Sequence, residues 1–458
     1  MRAQAQIRDM TTGSLSRQIL LFSVPLILSN LLQVLFNMSD IAVVGRFSGS
    51  AALGSVGSTA TLVTLFTGFL IGMGSSVNVR TARYLGAGDA AGVHRCVHTA
   101  LILSVAVGVA LMVLGLCFVR PLLILMGTKE NLLDGAVLYL HIYLLGMPAL
   151  AIYNFGNAVF SAAGDTRRPL RFLLLAGILN VLLNLFFVIV CHWDVAGVAL
   201  ASILSQYVSA VLILHALASS NADFRLYFRE LRVTRAEVRP ILGLGLSAGF
   251  QNSIFAIANL FIQAGVNRFN TTIVEGNSAA ANADGLIYDV MAACYVACSS
   301  FMGQNLGARK KDRVLRSYFI SLAYSFGVGM ALGLLLRPLG PAFLSLFTDE
   351  PAVRDAGMLR LSVMSFSYGV SAFMDCTIAA SRGLGKSLVP TVMVILGSCV
   401  FRVAWIYTVF AYFGTIQSLY LLYIFSWSIT AVAEIIYFVY AYKRQTADCP
   451  EPSAAHAE

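Results

Sequence analysis

Residues 20–44 read LLFSVPLILSNLLQVLFNMSDIAVV, an apolar run between Arg17 and Arg46 that contains one acid, Asp40. An α-helix rises about 1.5 Å per residue, so the segment between the two arginines reaches about 42 Å. The hydrocarbon core of a bilayer is about 30 Å thick, and a helix of this length crosses it with a tilt. The sequence therefore predicts a membrane-spanning helix that holds a carboxyl group near one end.

The polar side chains of this segment share one face of the predicted helix. At about 100° per residue, an arc of about 80° contains Asn30, Gln33, Asn37 and Asp40. An ionisable residue within a spanning helix indicates an ion or substrate pathway. The alternative is a structural pair with Arg46, but a separation of six residues does not bring two side chains together as an i,i+4 spacing does.

The composition is that of a polytopic membrane protein. Hydrophobic residues make up 58% of the 458 residues and charged residues 12%, whereas soluble domains average about 25% charged residues. The mean hydropathy is +0.79. The eight cysteines are scattered, which argues against a disulfide framework, and no His or Cys pair has metal-ligand spacing. The net charge of +9 comes from basic residues in short connections, a distribution unlike that of a nucleic-acid-binding face.

Apolar runs predict twelve spanning helices and an orientation for them. The predicted spans are 18–44, 52–78, 97–119, 136–160, 171–191, 195–217, 240–266, 279–302, 317–336, 355–380, 388–412 and 418–441. If both termini are cytoplasmic, the cytoplasmic segments carry 23 of the 31 Lys and Arg residues. The positive-inside rule selects that orientation, so we expect a multi-pass protein of the plasma membrane with both termini in the cytoplasm.

The chain contains an internal repeat. Leu-Gly-Ala at 85–87 recurs at 306–308, an offset of 221, and Gly164 with Pro169 recurs at the same offset as Gly385 with Pro390. Six spans per copy insert with the same orientation, so we expect two six-helix bundles related by a pseudo-two-fold axis along the membrane normal. The predicted parts of this all-α protein are a cytoplasmic leader without a signal-peptide pattern at 1–17, an N-terminal bundle at 18–218, a cytoplasmic connection at 219–239, a C-terminal bundle at 240–441 and a cytoplasmic tail at 442–458.

Polar faces recur in the fourth, fifth and sixth predicted spans. They contain Asn154, Asn157 and Ser161 in the fourth span, Asn180 and Asn184 in the fifth, and Ser202, Ser205, Gln206 and Ser209 in the sixth. Such residues also join membrane helices through hydrogen bonds, and that interpretation stays open for each face alone. Together with Asp40, they predict an oxygen-rich pocket suited to a proton or a hard monovalent cation.

The second half has a different set of intramembrane charges. They are the acids Asp284, Asp289, Asp375 and Glu434 and the base Arg402. The structural interpretation is a buried ion pair between Arg402 and one acid, and we expect it for Glu434. Asp284 begins a stripe with Tyr288, Met291 and Tyr295 that indicates either core packing or the lining of a substrate site. Residues expected to line a cleft between the bundles are Asp284, Tyr288, Asp375 and Gln206.

Gly385-Lys386-Ser387 resembles the end of a phosphate-binding loop, but that motif requires a glycine at position 380, which is alanine, and a preceding strand. We predict a turn between helices instead, as at its repeat partner Gly164-Asp165-Thr166. No ATP site is therefore expected, which excludes a primary pump. No Ser/His/Asp arrangement or carboxylate pair suggests an enzyme.

Several motifs together resemble the multidrug and toxic compound extrusion (MATE) family, over about residues 14–441. They are Pro25 followed by Asp40 in the first span, RYLGAGD at 83–89 echoed by GQNLGAR at 303–309, and FSAAGDTRRP at 160–169 echoed by SRGLGKSLVP at 381–390. The resemblance implies a V-shaped pair of bundles that exports mostly cationic or amphipathic compounds in exchange for sodium ions or protons.

The resemblance also implies a coupling-ion site in the N-terminal bundle. Its first-helix acid matches Asp40, and its polar positions in the fifth and sixth helices match Asn180, Asn184 and Ser202. We add Asn154 and Asn37 from the polar faces. Position 184 is an amide where some relatives have a second acid, so the identity of the ion stays open. No metal other than Na⁺ at Asp40 is expected.

The resulting prediction is a secondary active exporter that works by alternating access. It needs no cofactor beyond Na⁺ or H⁺ as coupling ion, and its partners are small organic cations and the lipid bilayer, without nucleic acid or ATP. A monomer is expected. One alternative is a flippase for lipid-linked oligosaccharides, which would favour a cationic lumen. A channel or receptor is another, although a channel would more naturally repeat pore-lining residues about an axis.

Overall fold

The computed structural model describes residues 9–449, and the regular secondary structure in this part of the chain is helical. A short 3₁₀ helix lies at Phe228–Glu230. The longer helices are α1 (Leu15–Phe47), α2 (Gly49–Ala87), α3 (Ala90–Leu125), α4 (Glu130–Leu144), α5 (Met147–Ala162), α6 (Arg167–Val190), α7 (Asp194–Ala218), α8 (Arg235–Val266), α9 (Thr271–Gly307), α10 (Lys311–Leu344), α11 (Pro351–Gly383), α12 (Leu388–Phe413) and α13 (Ile416–Gln445).

These helices confirm the predicted all-α integral membrane fold. Among residues 9–449, eleven helices are long and apolar enough to cross a membrane, and the bent pair α4 and α5 makes a twelfth if it is one span. Most helices extend beyond the apolar runs that predicted them. The second span, for example, was predicted to end at residue 78, whereas α2 continues to Ala87 because helical backbone does not stop where the lipid-facing surface ends.

The fourth span differs from its prediction. Residues 136–160 were predicted as one helix, but the chain is broken at residues 145–146 and bends by 48° between α4 and α5. Pro148 lies in the first turn of α5, where its missing N–H leaves no broken hydrogen bond. A Cβ on Gly146 would lie 2.3 Å from the Gln206 side-chain oxygen, so the break also admits a close approach of α7.

The predicted turn at Gly385-Lys386-Ser387 is confirmed, and so is its repeat partner. Gly164 has φ of +80° and Gly385 has φ of +79°, a conformation that glycine adopts without strain. In both turns the next N–H closes the end of the preceding helix, from Asp165 to the carbonyl of Phe160 and from Lys386 to that of Ser381, each at 2.9 Å. The two turns therefore have one geometry.

By packing, the chain forms two units. The first contains Leu28–Ser253 and the second contains Met10–Ile27 with the chain from Ile254 onward. This assignment differs from the predicted bundles 18–218 and 240–441 at two segments, because residues 18–27 of α1 pack in the second unit and residues 240–253 of α8 pack in the first. The chain thus passes between units within helices rather than in the connections.

In the first unit, the connection 219–239 is fastened to α2 and α3. The Glu237 carboxylate accepts hydrogen bonds from Arg80 at 2.7 Å and from the Tyr84 hydroxyl at 2.5 Å. On α3, the His98 ring accepts a hydrogen bond from the backbone N–H of Tyr227 at 3.1 Å. These contacts order a segment whose composition alone indicated a linker.

In the second unit, the described end of the leader is held by the turn between α9 and α10. Arg313 donates to the carbonyl of Gly13 at 2.8 Å, Lys310 donates to that of Thr11 at 2.8 Å, and Asn305 donates to that of Met10 at 3.1 Å. Met10 itself is buried. The GQNLGAR motif at 303–309 therefore covers the end of α9 and the start of the turn to α10, and its Asn305 helps to anchor the start of α1.

A candidate ion-binding pocket around Asp40

Asp40 on α1 belongs to a hydrogen-bonded cluster with three polar side chains from α6 and α7. One carboxylate oxygen accepts a hydrogen bond from the amide nitrogen of Asn184, and the other accepts one from the Ser202 hydroxyl at 3.2 Å. The Asn184 nitrogen also donates to the side-chain oxygen of Asn180 at 3.3 Å, and the Asn180 nitrogen donates to Ser202 at 3.4 Å. The structure thus brings together four of the six residues predicted for the ion site.

The pocket is largely closed. Asn184 is 0% exposed, Asn180 and Ser202 are also buried, and Asp40 is half-buried. One turn before Asp40, Phe36 covers Gly177 of α6 so closely that a Cβ on this glycine would lie 1.8 Å from the ring. The absence of a side chain at position 177 therefore lets α6 approach α1 where the polar groups meet.

No basic side chain balances the charge of Asp40. None of the six ion pairs among residues 9–449 includes it, and Arg46, the predicted alternative partner, is exposed and makes no ion pair in this part of the chain. The charge of Asp40 also acts on the buried, stacked rings of Tyr139 and Tyr143 on α4. A carboxylate among neutral polar groups is stabilised by binding a proton or a cation.

Two residues predicted for the ion site lie apart from these contacts. The Asn154 amide donates to the carbonyl of Leu150 on its own helix at 3.0 Å. Asn37 is exposed on α1, and no hydrogen bond joins it to the pocket within the described residues. Helical periodicity placed both on polar faces, but whether a face reaches a particular neighbour depends on how the helices are rotated.

Gln206, predicted to line the substrate cleft, lies in the first unit at the break between α4 and α5. Its side chain contacts Tyr143 and packs against Gly146. The charge of Asp40 also acts on Tyr143. The structure therefore places Gln206 against a tyrosine that interacts with Asp40.

Asp284, also predicted for the cleft, forms an ion pair inside the second unit. Its carboxylate accepts hydrogen bonds from Arg360 of α11 at 2.5 and 3.1 Å and one from the Tyr368 hydroxyl. Arg360 is 5% exposed, and it also donates to Asn277 at 2.8 Å. The Tyr423 ring lies 5.3 Å from its guanidinium carbon. The structure buries Arg360 within α11.

The other two cleft candidates lie near each other. Tyr288 of α9 is 49% exposed and packs edge-on against Tyr295 with ring centroids 6.3 Å apart. Asp375 of α11 is half-buried and lies close to Tyr288 and to Arg382. In contrast to Asp284, Asp375 has no ion pair among the described residues.

The predicted ion pair between Arg402 and Glu434 is wrong. Arg402 is 1% exposed and donates to the Ser426 hydroxyl at 3.2 Å and to the Asn259 side-chain oxygen at 3.3 Å. Its charge is further stabilised by the rings of Phe255, Tyr423 and Trp427, whose centroids lie 4.9 to 5.7 Å from the guanidinium carbon. Neutral acceptors and aromatic faces therefore take the place of the expected carboxylate.

Comparison with known families accounts for this architecture. The family model MatE matches residues 25–186 and again residues 247–408, so that the second match starts 222 residues after the first, in step with the sequence repeat. The two matches together cover more than half of the chain. The chain belongs to the MATE family. The predicted resemblance is thus confirmed, and the protein is a multi-pass membrane transporter rather than a member of an enzyme family.

Individual proteins similar to this chain are named as transporters or resistance proteins. A probable multidrug resistance protein of Bacillus subtilis, YpnP, is 28% identical over 83% of this chain and 86% of its own length. An FAD transporter of Shewanella oneidensis is 24% identical over 78% of this chain and 80% of its own length. A MOP superfamily transporter from Pyrococcus furiosus has the same fold, with a TM-score of 0.88 at 21% identity over 98% and 99% of the two chains.

Three residues of this MATE chain were missed by reasoning from its sequence. Tyr139 and Tyr143 are one turn apart in the fourth span, a spacing visible in the sequence, but tyrosine pairs are common in helix cores. Arg360 sits within the predicted tenth span, 355–380, and an arginine inside a predicted span was itself a signal of a buried acidic partner.

Proposed function

We propose that this chain is an ion-coupled exporter of small organic compounds and that Asp40 binds the coupling ion, either Na⁺ or H⁺. The observation that supports the proposal is the Asp40 carboxylate in a largely closed pocket whose hydrogen-bond partners, Asn184 and Ser202, are neutral. A carboxylate in such a place alternates between a charged state and a state neutralised by an ion.

The Asn184 amide can serve both states of Asp40. Its nitrogen donates to the carboxylate, while its oxygen is buried and has no hydrogen-bond partner in the described part of the chain. Rotation of the terminal amide by about 180° would exchange the N–H donors for that oxygen, because the two ends of the group have nearly the same shape. The N–H donors stabilise the free carboxylate, and the oxygen would be a ligand for Na⁺.

Ion binding at Asp40 changes the contacts among three helices. Asp40 belongs to α1, Asn184 to α6 and Ser202 to α7, so loss or gain of the carboxylate charge alters both hydrogen bonds that join α1 to the other two. A ligand shifts a conformational equilibrium only by its different affinity for the two states. The coupling ion therefore drives alternating access by favouring one packing of α1 against α6 and α7.

For the substrate, we propose mostly cationic or amphipathic organic compounds, in line with relatives named as multidrug resistance proteins. A flavin nucleotide is the second candidate. It is favoured by the relative named as an FAD transporter and by Asp284, whose negative charge is already balanced by Arg360 rather than left for a cation. We also propose a plasma-membrane location with both termini in the cytoplasm.

The test is efflux from proteoliposomes with sodium and proton gradients imposed separately. Asp40→Asn keeps the shape of the side chain but cannot ionise, so we expect folded protein that binds substrate and shows no gradient-driven efflux. Asp134→Asn, which alters an exposed carboxylate of α4, is the matched control and should export normally. Near-normal driven export by well-folded Asp40→Asn protein would show that the coupling ion binds elsewhere. A fluorescent cation and FAD, assayed in parallel, distinguish the two substrate classes.

A further inference from the structure

Glu434 of α13 is a buried acid that neither the fold nor the Asp40 pocket accounts for. It is 0% exposed. Neither of its carboxyl oxygens has a hydrogen-bond partner among residues 9–449, and none of the ion pairs in that part of the chain includes it. By comparison, the buried acid Glu237 accepts two short hydrogen bonds, from Arg80 and Tyr84.

The surroundings of Glu434 along α13 are apolar. One turn earlier, Ala431 packs in a cluster with Met374 and Ile378 of α11. One turn later, the Phe438 ring lies 4.5 Å from that of Tyr318. The carboxyl group therefore lies between two apolar layers, and no N–H or O–H donor of the described residues replaces the hydration that it loses.

Few charged or titratable groups face Glu434. Asp375 and Arg382 approach from α11, and Tyr437 lies on α13 itself. Arg402 of α12 is directed to Asn259 and Ser426 instead. Arg382 is thus the cation whose field acts on Glu434, and the same arginine also acts on Asp375.

A buried carboxylate without hydrogen-bond donors is far less stable than the neutral acid, so such a group takes up a proton. The half-buried carboxyl group of Asp375 and the guanidinium group of Arg382 lie close enough to Glu434 for their charges to act on it. A cation that binds at Asp375 would offset negative charge there and add positive charge beside Glu434. Both Arg382 and the bound cation would then favour the ionised form of Glu434, whose proton would leave.

We propose that Glu434 is a proton-binding site of the second unit, distinct from the ion site at Asp40, and that it releases its proton when an organic cation binds near Asp375. Charge balances in this exchange, because one cation enters as one proton leaves the Glu434 carboxyl. The proposal rests on the proposed export of organic cations, but it concerns different residues. Under this proposal the second unit itself exchanges a proton at Glu434 for an organic cation near Asp375.

The first test reads the protonation of Glu434 without transport. In infrared spectra of the purified full chain at neutral pH, the carboxylic-acid C=O band should lose intensity in Glu434→Gln and keep that intensity in Arg382→Gln. An unchanged band in Glu434→Gln would overturn the proposal, since the acid would then be ionised. Stability is the second readout. Glu434→Met should melt at or above the wild-type temperature if the acid is neutral, whereas a strongly lowered melting temperature would show that it is a charged partner of Arg382.

The second test measures proton release when tetraphenylphosphonium binds in weakly buffered detergent solution. The test uses the Asp40→Asn variant, in which the proposed first ion site cannot release a proton. Whether Asp40 is in fact the coupling site therefore does not affect the result. In that background we expect about one proton released per bound cation, and none after the further change Glu434→Gln, with binding of the cation retained. Equal release by the two proteins would overturn the proposal.

Discussion

Replacing Arg360 by methionine is expected to destabilise the protein by about 3 kcal/mol, because it leaves the Asp284 carboxylate without its charged partner. Arg360 donates two hydrogen bonds to Asp284, at 2.5 and 3.1 Å, and only the Tyr368 hydroxyl would remain as a donor. Removal of one partner of a buried ion pair typically destabilises by about 3–5 kcal/mol. We expect the lower end of this range because 19% of the Asp284 side chain is exposed.

The double variant separates the pair from its surroundings. Asp284→Asn alone leaves Arg360 with the oxygens of Asn277 and of the new amide, so we expect a loss of about 2 kcal/mol, as for a hydrogen bond to a charged group. With both changes no charge is left unpaired, and the expected loss is again about 2 kcal/mol. The two sites are therefore coupled by about 3 kcal/mol, at the upper end for residues in contact.

The measurement is reversible denaturant unfolding in mild detergent, with the four proteins of the cycle compared under one condition. Arg120→Met is the matched control, because Arg120 pairs with Asp134 at 3.3 Å while the two side chains are 59% and 86% exposed. Such an exposed pair contributes about 1 kcal/mol or less. If Arg360→Met lost no more than this control, or if the double variant lost as much as both single variants together, the charges of Arg360 and Asp284 would not depend on each other for stability.

Three further predictions concern the ion pocket and the topology. Asn184→Ala should weaken ion coupling in a graded way, seen as a higher ion concentration for half-maximal efflux, whereas Asn154→Ala should leave it unchanged; equal effects would remove Asn184 from the site. Gly177→Ala should lower stability by about 1–3 kcal/mol through its overlap with the Phe36 ring, and an unchanged melting temperature would contradict that close contact. A cysteine at position 221 should be labelled only from the cytoplasmic side by an impermeant reagent, and labelling from outside intact cells would reverse the predicted orientation.

Much of the fold could be predicted from the sequence because the determining patterns are local. A spanning helix is a continuous apolar run of sufficient length, and a helix-joining turn such as that at Gly385 is a glycine followed by a helix-starting proline a few residues on. The repeat appears in the chain as an offset, without reference to three dimensions. The ion-site candidates Asp40, Asn180, Asn184 and Ser202 came from periodicity and family resemblance, and the structure joins them by hydrogen bonds, although their role in ion binding stays a prediction.

Which partner each buried charge has was decided only by the tertiary structure. The sequence offered Arg402 as the partner of Glu434 and overlooked Arg360 as the partner of Asp284, and the structure reverses both. The tertiary structure alone likewise decided the bend between α4 and α5 and the packing of residues 18–27 in the second unit. The physical reason is that hydropathy and periodicity specify which face of a helix is polar, whereas contact between two faces depends on the rotation, axial position and approach of neighbouring helices. These are set by the packing of all the helices together, and no local stretch of sequence contains them.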